Sequence, residues 1–265
     1  SQVKLYEDGE VDYIVATDAI GMGLNLDINQ VYFSGLDKFD GKYVRPLNDM
    51  EIGQIAGRAG RYTKSGYFGS TLGAKFTNLE SIENIQSHKF EAIKKIFWRN
   101  HLLSFKSEYE LVNSLKQKSD NHRLILKKDA EDQKFLLRFL KDNKTSFKFD
   151  NPETLKQLWD ICRIPDYQNI SDEKHIELLT KIFKELIKNK WTLSDSFLEH
   201  QTSYLQNYNG SIDDLIYNLN ETRTWLYITN QKHWISNSIW VETVKNIENK
   251  LSEEIHLSLM QKFVD

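Results

Sequence analysis

The stretch EIGQIAGRAGRY, Glu51 to Tyr62, decides how the rest of the chain is read. Ile52, Ile55 and Ala56 start it with helical spacing. Two glycines follow, each costing about 1 kcal/mol of helix propensity in a helix interior. A plain core helix has little use for them. Carried on as a helix, the stretch puts Gln54, Arg58 and Arg61 at i, i+4 and i+7, about 700° of rotation, so all three point one way. Gly57 and Gly60 flank the arginines without side chains, so another surface can come close. Two permanently charged guanidinium forks on one ridge suit a polyphosphate. In phosphoryl transfer such an arginine offsets charge on the transferred group. The competing reading is a helix C-terminus whose arginines favour the dipole and pair with surface carboxylates.

A second stretch lies upstream: VATDAIGMGLNL, Val15 to Leu26. The residues before it, VDYIVATD, read as a buried strand from Tyr13 to Thr17 that ends at Asp18. Thr17 and Asp18 then stand at the carboxyl end of a strand, where open α/β sheets place ligands. A threonine hydroxyl with nearby amides can hold a backbone phosphate, and Gly21 and Gly23 permit close approach. A tight strand-to-turn transition, with Asp18 capping local amides, explains the same residues without a ligand.

Around these stretches the texture is that of an α/β fold. Val31–Ser34 reads as a second strand, Asp40-Gly41 as a hairpin turn, and Asn48 or Asp49 as the cap of the helix that enters the arginine stretch. SGYFGSTLG reads as a glycine-punctuated strand or hairpin. Most of the twelve glycines lie between Gly21 and Gly73, and after Phe76 only Gly210 remains. From there helical patterns take over. Phe90, Ile93 and Phe97 suggest one helix and Leu111 and Leu115 another, followed by AEDQKFLLRFL. Leu155, Leu158, Trp159 and Cys162 form a stripe. So do Ile176, Leu179, Ile182, Phe183, Leu186 and Ile187, and likewise Trp240, Val244, Ile247, Leu251 and Ile255. Ser211 with Asp214 gives a capping-box start. Candidate linkers are 77–88, 142–154 and 165–174. A fragment of two or three strands is a poor independent sheet, and an opening strand buried on both faces needs parallel neighbours. The expected class is therefore α/β followed by all-α, with residues 1–80 the end of a larger doubly wound domain.

The chain has 265 residues, 40% hydrophobic and 28% charged, with a formal net charge of -3. That composition fits a globular chain with a sizeable core. It argues against a tail-like electrostatic binder and leaves room for a local basic groove. One cysteine, Cys162, excludes an intrachain disulfide and a cysteine-rich metal site. No run of 18 apolar residues points to a membrane span, and SQVKLYEDGE lacks the pattern of a signal peptide. The seven histidines show no ligand spacing and read as surface or boundary residues.

Taken together and in this order, TDAIGMGLNL and QIAGRAGR resemble motifs V and VI of superfamily 2 helicases. The fuller wording resembles the mitochondrial degradosome RNA helicase family and its bacterial relatives. LWDICRIPDY, GSIDDLIYNLNETRTWLYITN and LSEEIHLSLMQKFVD are similar to the helical C-terminal part of the bacterial members.

The resemblance implies a partial second RecA-like domain (1–80), a helical linker or bundle (81–150) and a helical C-terminal domain (151–265). It implies that Gln54, Arg58 and Arg61 face ATP and Mg2+ held mainly by a first RecA-like domain. Arg61 is the implied arginine finger, and Arg58 a contact to the γ-phosphate or an acidic partner. Asp18 and Gly23 belong on the nucleotide side, and Thr17, Gly21 and Met22 on the nucleic-acid side. The implied activity is ATP-driven 3'-to-5' unwinding of RNA, or of DNA in some members, with an exoribonuclease as a further partner and no membrane. For a bacterial source the expected compartment is the cytoplasm. A P-loop GxxxxGK[ST] and an acidic metal-binding motif do not occur in the sequence, and SGYFGSTLG has no lysine. The chain by itself is therefore expected to bind no ATP and to hydrolyse none. A DNA-directed translocase and a non-enzymatic nucleic-acid-binding or scaffolding module stay open as alternatives.

Two smaller features carry basic and aromatic residues together. TRTWLYITNQKHW gathers Arg223, Trp225, Tyr227, Lys232, His233 and Trp234, which fits core packing better than base stacking. NHRLILKK spaces Arg123, Lys127 and Lys128 compatibly with a helix and forms a candidate basic patch.

Overall fold

The computed structural model describes residues 2–22, 26–40, 43–60, 64–74, 76, 78–143, 147–149, 151–169 and 171–264. It divides into two compact units, Ser1–Ile93 and Lys94–Asp265.

The first unit opens with the short helix α1 (Gln2–Glu7) and a 3₁₀ turn, Asp18–Gly21. Strand β1 (Gln30–Phe33) follows, then a hairpin of β2 (Asp37–Phe39) and β3 (Val44–Pro46). The Asp40 amide donates to the Tyr43 carbonyl at 3.0 Å, and the Asp40 carboxylate accepts from the Tyr43 amide at 2.9 Å; Gly41 of the expected turn lies outside the described residues. Helix α2 (Asp49–Ala56) leads to β4 (Tyr67–Ser70), which pairs parallel to β1 in the register Gln30↔Tyr67 to Phe33↔Ser70. Parallel pairing requires a crossover, and the hairpin and α2 together supply it. Helix α3 (Leu79–Gln86), capped by Asn78, ends the regular structure of this unit. Phe33, Ile52, Ile55, Ala56 and Ile85 form its core.

The second unit begins with strand β5 (Ile96–Trp98) and helix α4 (Glu108–Lys116). Strand β6 (Leu124–Leu126) pairs parallel to β5 in the register Ile96↔Leu124. Helices α5 (Glu131–Asp142), α6 (Pro152–Cys162), α7 (Asp172–Lys188), α8 (Asp195–Thr202), α9 (Ile212–Thr229) and α10 (Ile239–Val264) complete it. Short polar side chains start these helices: Ser107, Asn151, Ser171, Ser194 and Ser211 each accept a first-turn amide. Such a cap is worth about 1 kcal/mol. The apolar stripes converge on one core with Leu158, Leu179, Phe183, Trp225, Trp234 and Val244 at its centre. Each large side chain buried this way stabilises by roughly 1.5–3 kcal/mol. The Trp234 indole also donates to Gln157 Oε1 at 3.1 Å, so its one polar atom is satisfied in the interior.

Several expectations give way. Residues Tyr13–Thr17 form no strand. They carry no regular structure and no ladder, and Tyr13 and Val15 are 85% and 88% exposed. An interior parallel strand is held by neighbours on both edges, and β1 bonds only to β4 among the described residues. The proposed helix over Phe90, Ile93 and Phe97 is absent. Residues 89–95 are irregular, and Phe97 lies in β5. Arg123, Lys127 and Lys128 flank β6 and share no helix. The segment 77–88 contains α3 and is no linker. Ile187 turns outward at the end of its stripe, 44% exposed. His175 is buried, its Nε2 3.1 Å from the Ile164 carbonyl and its ring 4.4 Å from that of Phe135. It sits there because the stripe of α7 that carries Ile176 and Leu179 turns toward α5.

Candidate nucleotide and nucleic-acid site

The two stretches that carry the functional reading meet in the first unit. Helix α2 starts with a reciprocal capping box: Asn48 accepts from the Glu51 amide, and Glu51 accepts from the Asn48 amide at 3.0 Å. It stops at Ala56, with Gly57 as its C-cap. Gln54 and Arg58 therefore share no helix. Gln54 lies on α2 with its side chain exposed, and Arg58 lies beyond the helix end. The chain leaves the helix because Ala59 bridges Ile28, and the Gly60 amide donates to the Ile28 carbonyl at 2.7 Å. Gly60 takes φ +80, and a Cβ on Gly66 would stand 2.1 Å from the carbonyl carbon of Ala59. Only glycines permit that return. Arg61 and Gly23 lie outside the described residues.

Arg58 instead reaches back 37 residues, and its Nη2 donates to the Gly21 carbonyl at 2.5 Å. Gly21 is buried, and a Cβ there would stand 3.3 Å from Ile55 Cγ1 and 3.7 Å from the Gln54 carbonyl carbon. The absence of a side chain at Gly21 thus lets the 3₁₀ turn lie directly on the backbone of α2. Thr17 precedes that turn in an extended conformation and is exposed, with no cap bond from its hydroxyl. Met22 follows it, 69% exposed. Thr17, Gly21, Met22, Gln54 and Arg58 therefore gather around one corner.

Sequence reading missed the ionic network beside this corner. Lys38 of β2 bridges Asp18 Oδ2 at 2.7 Å and Glu51 Oε1 at 3.3 Å. Arg45 of β3 grips Glu51 with two bonds, Nη1 to Oε2 and Nη2 to Oε1, each 2.8 Å, and its Nε is 3.5 Å from Asp40 Oδ2. The Arg45 fork, the Asn48 amide and Lys38 together lower the Glu51 carboxyl to about 2, against the opposing effect of partial burial. Lys38 is held above its ordinary value, chiefly by Asp18 and then by Glu51. The network fastens the 3₁₀ turn, the hairpin and the first turn of α2 to one another. The signal in the sequence was the Lys38–Arg45 alternation across a hairpin next to an N-terminal Glu51, a pattern that needs the β2–β3 register to be seen.

Between residues 12–18 and strand β1 lies a cavity of about 620 Å³, lined also by Tyr6, Lys38, Leu47 and Ile55. Among the described residues no group of three or more His, Cys, Asp or Glu is arranged to hold a metal ion. Of the two predicted site arginines, Arg58 is the one among the described residues, and its Nη2 is bonded to the Gly21 carbonyl.

Residues 1–63, which hold the glycine turn, the hairpin and the arginine turn, match the family described as helicase conserved C-terminal domain. The chain resembles the C-terminal part of superfamily 2 helicases of the mitochondrial degradosome type. The mitochondrial ATP-dependent RNA helicase SUV3 of Candida albicans is 40% identical over 139 residues, covering 45% of this chain and 19% of that protein. The SUV3 helicase of Oryza sativa subsp. japonica is 59% identical over 56 residues, 21% of this chain and 10% of that protein. The SUV3 of Saccharomyces cerevisiae is 41% identical over 80 residues, 30% of this chain and 11% of that protein. The matched segments thus span a fifth or less of these relatives' lengths.

Among the described residues no helix is long and apolar enough to cross a membrane. Of the secondary features, Trp225 and Trp234 are core residues and Arg223 pairs with Glu248 at 3.2 Å, so TRTWLYITNQKHW is packing. Cys162 is fully buried, and burial pushes its thiol well up, which fits an inert core residue.

Proposed function

We propose that this chain acts as the C-terminal part of an ATP-dependent RNA helicase. In this reading it joins a first RecA-like domain that carries the P-loop and the acidic metal-binding motif. ATP with Mg2+, held mainly by that domain, supplies the phosphoryl-transfer free energy. Arg61 of this chain donates to the charge that develops on the transferred group, and Gln54 and Gly23 line the same cleft. Thr17 and Met22 meet the nucleic-acid backbone, and Asp18 lies on the nucleotide side. Arg58 contacts the γ-phosphate or an acidic partner in the same reading, and it has a second role. Its bond to the Gly21 carbonyl ties the arginine turn to the turn that carries Thr17 and Asp18, so a shift in one is felt by the other. That bond, spanning 37 residues between two separately recognisable stretches, carries the proposal. An exoribonuclease partner and a bacterial cytoplasmic setting belong to the same reading.

The test is ATP turnover by a polypeptide that joins this chain to the P-loop domain, with and without single-stranded RNA. Arg61→Ala is expected to lower turnover about a thousandfold while leaving RNA affinity nearly unchanged. Thr17→Ala is expected to lower stimulation by RNA. Turnover of Arg61→Ala within twofold of the unaltered protein refutes the assignment. Stronger stimulation by single-stranded DNA than by RNA selects the translocase alternative.

A further inference from the structure

We infer that the β5–β6 ladder of the second unit is a stacking platform for single-stranded RNA, a surface separate from the arginine and glycine turns. The inference rests on the proposal that the chain works on RNA, and extends it to a face which that proposal does not use.

The ladder is short, two-stranded and parallel, with Phe97 directly opposite Ile125. It continues one residue at either end: the Ile96 amide donates to the Arg123 carbonyl and the Lys127 amide to the Trp98 carbonyl, each at 2.9 Å. Side chains alternate along a strand, so Phe97 and Ile125 share one face. Phe97 is 68% exposed and Ile125 39%. A phenylalanine left this open on a paired strand gives up burial that would favour folding, which marks the face as open to a partner.

Charge on the page says which partner. Lys94 and Lys95 enter β5, and Arg123, Lys127 and Lys128 bracket β6; all five are exposed. Among the described residues none of the five pairs with a carboxylate, whereas Arg99 at the far end of β5 is anchored to Asp132 at 2.7 Å. The ladder is therefore fixed at one end and cationic along its open edge. Lys127 Nζ already stands over the Phe97 ring, 5.1 Å from its centroid. An aromatic face ringed by cations is the arrangement that holds single strands: a base takes the ring, and the ammonium moves to the adjoining phosphate.

The experiment uses the whole 265-residue chain without nucleotide. Fluorescein-labelled oligouridine of about 12 nucleotides is titrated by anisotropy over a range of salt concentrations. Phe97→Ala is expected to weaken binding about fivefold or more, and Phe97→Trp to keep it. The pair Arg123→Gln with Lys127→Gln is expected to reduce the slope of log affinity against log salt by about 1.4. All three positions are exposed; unchanged tryptophan fluorescence reports folding of Phe97→Ala and of the glutamine pair, and unchanged far-ultraviolet circular dichroism that of Phe97→Trp. No measurable binding by the unaltered chain overturns the inference. So does binding by Phe97→Ala within twofold of the unaltered chain, or equal displacement by a poly-glutamate peptide, which would make the face an acidic-protein site. Tighter binding of oligothymidine DNA than of oligouridine refutes the choice of RNA. Because no ATP is involved, failure here is separate from failure of the Arg61 test.

Discussion

Glu51→Gln isolates the ionic network from the helix cap. The amide oxygen of glutamine can still accept from the Asn48 amide, but the charged fork to Arg45 and the bridge to Lys38 are lost. Glu51 falls from an ordinary 4.5 to about 2 in the folded chain. That difference of about 2.5 units, at about 1.36 kcal/mol each, sets a ceiling of roughly 3.4 kcal/mol. The side chains of Glu51 and Arg45 are 21% and 37% exposed, so solvent screening reduces the effect to about 1 kcal/mol. A depressed carboxyl contributes its full stability above the unfolded value and loses it as pH falls through the folded one. The gap between the unaltered chain and the variant is therefore full at pH 7 and closes between about pH 4.5 and pH 2. All six tryptophans lie in the second unit, so their fluorescence is blind to this change and serves as the control. Urea unfolding followed by far-ultraviolet circular dichroism reads both units, and the part of the transition not shared with tryptophan fluorescence belongs to the first, where about 1 kcal/mol moves the midpoint by up to about 1 M. A gap absent at pH 7, or one of constant size down to pH 2.5, refutes the reasoning.

Two further outcomes follow from other residues. Gly66→Ala forces a methyl against the Ala59 carbonyl, 2.1 Å away, and is expected to destabilise the first unit by about 3 kcal/mol or more, read by the same dichroism transition. His175 is held below its usual value by burial, opposed by Asp166, the Ile164 carbonyl, Glu131 and Asp172. Folding thus favours the neutral ring, and stability of the second unit falls as pH drops below about 6.5, by at most about 1.4 kcal/mol per pH unit. Tryptophan fluorescence in urea measures it, and His175→Gln should flatten the slope.

Much of the helical half was legible in one dimension. Leu155, Leu158 and Cys162 on α6, Leu179 and Phe183 on α7, and Val244, Ile247 and Leu251 on α10 are buried where their spacing puts them. The cap at Ser211 forms as read, and of the two candidates Asn48 and Asp49 the cap is Asn48. Periodicity and capping are local, so neighbours in sequence carry the information. The short ladder of β5 and β6 was not legible, because three-residue strands have no period to display and their pairing joins residues 28 apart.

At the candidate site the division is the same. The sequence by itself determined that a glycine-rich stretch and an arginine stretch occur in this order, with an α/β opening ahead of a helical remainder. It could not determine that α2 ends before Arg58, since that end is set by the Ile28–Ala59 bridge and the return past Gly66. Nor could it show Arg58 holding the Gly21 carbonyl, or Lys38 joining Asp18 to Glu51. Those contacts depend on where the crossover lays one turn on another, and only packing in three dimensions decides that.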